Sequence, residues 1–141
     1  MLGSTDSIEQ GYLIRVYKMS DRKLAERSKS RKREKNSNVY MFNALWFKAD
    51  GGEQRYREYM KAVGPLMRRA GGRKLRSFVS VREVIGDFDA DLIFFVEYPD
   101  WQAFKNFAND PDHHKVAYLR EEALEKSVLL RCARPDKAFK T

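Results

Sequence analysis

Residues Val39–Lys48 read as a β-strand with apolar side chains on both faces, and this constrains everything around it. Tyr40, Phe42, Ala44 and Trp46 alternate with Val39, Met41, Leu45 and Phe47, which flank a single polar residue, Asn43. Successive side chains of a strand point to opposite sides. Neither side of this one can be left to water, so it belongs to the middle of a sheet covered on both faces. The turn signal Asp50-Gly51-Gly52 ends it.

The following segments fall into a regular order. Asp50, with Glu53 three residues on, resembles a capping box for a helix. In that helix Tyr56, Tyr59, Met60, Val63, Leu66, Met67 and Ala70 recur at helical spacing. Gly64-Pro65 predicts a kink, because proline has no N–H to give the preceding turn, and Gly71-Gly72 ends the helix. Lys74–Val84 alternates as a half-exposed strand, Gly86-Asp87-Phe88-Asp89 turns the chain, and Asp91–Tyr98 is the most hydrophobic strand. Asp100 caps a helix carrying Trp101, Phe104 and Phe107. Asp110-Pro111 starts another, with Val116, Leu119, Ala123 and Leu124 as its apolar stripe. Ser127–Arg134 is the last strand, closed by Pro135. The order β-α-β-β-α-β is the ferredoxin-like, split βαβ arrangement of an α+β domain, a four-stranded antiparallel sheet with its helices on one face. Its other sheet face carries too many large apolar groups to stay wet, which predicts a homodimer closing sheet on sheet.

Charge divides the chain. Of the net +8, residues 1–38 carry +5, from ten basic and five acidic residues; the remainder, with 18 against 15, carries +3. Ser20–Asn38 is polar apart from Leu24 and Ala25, too poor in apolar area to offset chain entropy. We therefore expect a basic, partly flexible extension over 1–38, a folded domain over 39–135 and a short tail over 136–141. The extension is the one segment expected to meet nucleic acid. The longest apolar run, Leu92–Val96, is far short of the roughly 20 residues of a membrane span. Met1–Gln10 has no basic stretch leading into an apolar one, so no membrane partner and a cytoplasmic location are expected.

Tyr56-x-x-Tyr59, Pro65-Leu66, Ala70-Gly71-Gly72-Arg73-Lys74-Leu75, Phe95-Val96-Glu97-Tyr98-Pro99-Asp100 and Lys115-x-x-x-x-Arg120-x-x-Ala123 form an ordered series over about Val39–Arg134. In this series the chain resembles domain-of-unknown-function family 1330. The resemblance implies membership of the dimeric α/β-barrel superfamily, in which two ferredoxin-like protomers join sheets. Cofactor-free oxygenases, small isomerases and heme enzymes are related there, whereas the family itself has no agreed reaction. The chain departs from it where Ile85-Gly86 replaces a Glu-Gly pair, and in its basic extension.

The candidate chemistry is sparse. His113 and His114 are the only histidines, and adjacent helical residues point roughly 100° apart, so the pair does not chelate one metal. A single imidazole at a pocket mouth suits a general base, which singles out His113. Glu97, between apolar neighbours, is the second catalytic candidate, with a raised pKa if it sits in a pocket; Arg131 or Arg82 is its expected partner if it is an ion pair. Asn43, Tyr59 and Arg120 are polar tips near apolar faces, suited to orienting a small anionic ligand; Arg120 can fork onto a carboxylate. Cys132, the only cysteine, excludes an internal disulfide framework and a multi-cysteine zinc site and reads as a small core residue. No phosphate loop, dinucleotide fingerprint, nucleophile elbow or HExxH is present, so neither cofactor nor metal is expected.

Two readings of function follow: binding or cofactor-independent transformation of a small organic acid or aromatic, and a non-catalytic assembly role. RNA binding is a rival, since the RNA-recognition motif shares the topology. Tyr40–Leu45 and Phe95–Tyr98 look like parts of its two sequence motifs. Asp91, Leu92 and Ile93 stand where that motif requires a base, a glycine and a ring, which argues against it.

Overall fold

The computed structural model describes residues 38–135. The expected basic extension, apart from Asn38, and the tail over 136–141 lie outside the described residues. The elements run β1 (Val39–Phe47), α1 (Gly52–Arg69), β2 (Arg73–Phe78), β3 (Leu92–Tyr98), α2 (Trp101–Ala108), α3 (Pro111–Ala123) and β4 (Leu124–Cys132). The strands form one sheet in the order β2-β3-β1-β4, every neighbouring pair antiparallel. This is the expected ferredoxin-like α+β fold, with the two-faced strand β1 in the interior of the sheet.

Strand parity assigns the faces. Val39, Met41 and Leu45 of β1 join Phe94, Val96 and Tyr98 of β3 in the core against Tyr56, Tyr59, Val63 and Met67 of α1 and Phe104, Phe107 and Leu119 of the other helices. The opposite parity puts Phe42, Phe95 and Leu130 on the face away from the helices. No helix among the described residues is long and apolar enough to cross a membrane.

The chemically marked helix ends hold. Asp100 accepts a hydrogen bond from the Ala103 N–H at 2.8 Å, and Asp110 accepts from Asp112 N–H at 2.9 Å with Pro111 opening α3. Beyond α1, Gly71 is in the left-handed region (φ 93°); its N–H reaches the Arg68 carbonyl while that of Gly72 reaches Met67, the paired bonds of a Schellman end.

Helix α1 runs through Gly64-Pro65 to Arg69, with Pro65 on its exposed side. Three expectations are corrected. The cap of α1 is Gly51, without a side-chain bond, and Glu53 pairs instead with Arg57 at 3.0 Å. Strand β2 stops at Phe78: Phe78 pairs with Ile93 near the start of β3, and Val79, Val81, Val84 and Ile85 beyond it, 67–95% exposed, have no strand to pair with among the described residues. Strand β4 starts at Leu124, three residues early, because the Ala123 carbonyl is drawn onto the Lys48 N–H (2.9 Å) at the end of β1. That junction leaves no room beside Gly52, where a Cβ would lie 2.5 Å from the Ala123 oxygen.

Candidate functional site

Between the sheet and the helices is a cavity of about 60 Å³, by the measure in which one water takes about 10–15 Å³. Its walls are apolar and aromatic, and the polar side chains in it come from three elements. Asn43 enters from β1, Tyr59 from α1, and His113 and Arg120 from α3. The last two are seven residues apart, two helical turns, and so share a face.

Local chemistry places each of them. Asp110-Pro111 fixes where α3 begins, and this turns His113, in the first turn, inward against Phe107 (ring centroids 4.6 Å). The ring is only 2% exposed. Its Nε2 lies 3.0 Å from the Tyr59 hydroxyl, close enough for either group to donate. Its Nδ1 has no hydrogen-bond partner among the described residues. His114 points elsewhere, with Nε2 3.2 Å from the Ala108 carbonyl. Asn43 is buried and donates from Nδ2 to the Met41 carbonyl at 3.1 Å. Arg120 is 9% exposed, a cation almost wholly inside the fold.

Burial pushes the His113 imidazole down to about 4, helped by the charges of His114 and Arg120; the Ala108 carbonyl and the Asp110 carboxylate oppose this and are outweighed. At neutral pH the ring is uncharged. Burial likewise pushes the Tyr98 hydroxyl up, so it too is neutral.

The structure therefore brings together four of the five residues singled out from the sequence. Glu97 is the exception and is corrected. It lies on the opposite sheet face, where Arg73 donates to its Oε1 from Nη2 (2.6 Å) and Nε (3.2 Å), and Asn38 donates to Oε2 (3.1 Å). The Arg73 guanidinium, with Asn38 and Tyr40, holds its carboxyl below the usual range rather than above it. Its partner is Arg73, not Arg131 or Arg82. His113 is also deeper than a pocket mouth. Cys132 is half-buried on the strand rather than in the core, its Sγ 3.6 Å from the Leu130 carbonyl. Sequence reasoning missed Tyr98 as part of the cavity wall; its signal was the parity it shares with Phe94 and Val96.

The fold is shared with solved structures. A protein of unknown function from Rhodopseudomonas palustris, RPA0582, superposes with a TM-score of 0.67 at 24% identity, covering 79% of this chain and 93% of that one. A dimeric ferredoxin-like protein of unknown function from Jannaschia sp. CCS1 gives a TM-score of 0.59 at 15% identity, covering 69% and 99%. The hydroxynitrile lyase of Passiflora edulis gives 0.59 at 15% identity, covering 72% and 97%. No curated protein matches the sequence. Residues 49–131, more than half the chain, match the domain of unknown function DUF1330. The chain belongs to the DUF1330 family.

Proposed function

We propose that the protein is a cytoplasmic homodimer that binds a small organic acid or aromatic in the cavity between sheet and helices, and moves a proton on it without a cofactor. One observation carries this reading: Asn43, Tyr59, His113 and Arg120 converge from three elements on one cavity whose remaining wall is largely apolar and aromatic. Pockets with apolar walls and a few convergent polar groups are the usual small-molecule sites. In this reading Arg120 supplies charge for an anionic group, and Asn43 and Tyr59 orient the ligand. The neutral imidazole of His113, braced by Tyr59, accepts a proton from it. The apolar face of the sheet, and the dimeric description of the Jannaschia protein, support pairing of two copies. Glu97 belongs here to the opposite face, as half of an ion pair.

The test is ligand-observed NMR on the full chain with a panel of small aromatic and aliphatic acids and their neutral analogues. At least one member should bind, and His113→Gln together with Tyr59→Phe should weaken it about tenfold or more. A panel without a single binder, or binding indifferent to both substitutions, refutes the proposal.

A further inference from the structure

Among the described residues, the charged side chains on the cavity lining at neutral pH are Arg120 and, at the exposed rim, Glu121. Arg120 is 9% exposed as a residue, so an ion meeting its guanidinium inside is shielded from water and keeps most of its attraction. A planar carboxylate matches the guanidinium fork with two parallel bonds. The remaining wall is built largely of rings, among them Tyr56, Phe94, Tyr98, Phe104 and Phe107, which suits a flat apolar body. Glu121 at the rim repels a second anionic group.

The other polar centre is His113. Its Nε2 is engaged by Tyr59, and Nδ1 is buried without a hydrogen-bond partner among the described residues. The titratable and charged groups around it are Tyr59 from α1, Asp110 at the cap of α3, and His114 and Arg120 on α3; Tyr56, Tyr98 and Glu121 line the same cavity. An anion on Arg120 cancels the repulsion that this guanidinium exerts on a protonated ring, and adds an attraction of its own.

We propose that the cavity takes a small aromatic monocarboxylate, its carboxylate on Arg120, and that binding draws one proton from solvent onto His113. This rests on the reading of the cavity as a ligand site; a carboxylate of this kind has no proton to give the imidazole, which takes one from solvent instead. The balance is simple: a carboxylate and a neutral imidazole enter, one proton is added from buffer, and carboxylate, imidazolium and guanidinium share the cavity with no bond made or broken elsewhere.

Calorimetric titration of the full chain at pH 6.5, with benzoate and with its neutral isostere benzamide, tests this. Benzoate should bind at least about tenfold more tightly, and Arg120→Gln should bring the two to parity. Repeating the benzoate titration in two buffers of different ionisation heat should show net proton uptake, lost in His113→Gln. The benzoate-to-benzamide comparison needs no variant, so a misfolded Arg120→Gln does not void it. Equal binding of the two overturns the carboxylate assignment and leaves the ligand site standing. Benzoate binding without proton uptake overturns the role of His113. Failure of both to bind overturns the inference alone if the acid panel has a binder, and the ligand-site reading as well if it has none.

Discussion

His113 stores part of the fold's stability as an uncharged ring. Unfolded, a histidine takes its proton near 6.5; in the fold this one resists until about 4. Between those values the unfolded chain binds more protons, so stability falls as pH falls. From pH 7 to pH 5 the loss should be about 2 kcal/mol, measured by urea unfolding, and His113→Gln should flatten the profile. Glu97 and Asp110, whose carboxyls are lowered, contribute stability that is lost only at more acid pH, below the ordinary carboxylate range. An unchanged slope in the variant would place the acid sensitivity elsewhere. At this scale the sequence offered Asn43, Tyr59 and Arg120 as polar tips near apolar faces and His113 as a base at a pocket mouth. It did not reveal that they meet, since that depends on how α1 lies against α3. Glu97 was misplaced for a related reason: both parities of β3 are apolar, so alternation alone does not say which one faces the helices.

The elements were legible where their ends are written in side-chain chemistry. Asp100, Asp110-Pro111 and Gly71-Gly72 mark helix ends through bonds made within a few residues, and these ends hold. Strand ends depend on partners distant in sequence: β2 stops where pairing with β3 stops, and β4 starts early because β1 claims the Ala123 carbonyl. The start of α1 belongs to the same knot, and Gly52 is its tightest point. Gly52→Ala drives a methyl group toward the Ala123 oxygen, which would lie 2.5 Å away. It should lower the unfolding free energy by about 1–3 kcal/mol in denaturant titration. A neutral result would mean that the α1–β4 junction yields more easily than packed backbone does.

Among the described residues, the sheet is covered on one side only. The helical side is closed over the core, while the other shows Phe42, Phe95 and a half-exposed Leu130, edged by the loop bearing Val79, Val81, Val84 and Ile85. Phe88 reaches back from that loop to Phe42 (ring centroids 6.5 Å) and Trp46 (5.4 Å) and covers only part of the face. Light scattering after size exclusion should give the mass of two chains. Leu130→Lys, which sets a charge opposite Phe42, should give one chain with unchanged far-ultraviolet circular dichroism. A monomeric wild type, or a dimer indifferent to the lysine, would sink the sheet-to-sheet arrangement. With most of the excess positive charge in residues 1–38, the body itself offers little long-range repulsion to such pairing.

The two tryptophans sit on opposite sides of this sheet, each in its own polar setting. Trp46 has the Lys126 ammonium 4.4 Å from its ring centre and donates its indole N–H to Asp89 at 2.8 Å on the face away from the helices. Trp101 stacks on the cavity-wall ring of Phe104 (4.9 Å) beneath the Arg131 guanidinium (4.2 Å). The protein thus carries a native fluorophore for each event argued above. Emission from Trp46 would report a meeting of two sheets, emission from Trp101 would report a ligand against Phe104, and replacing either indole with phenylalanine leaves the other to be read alone.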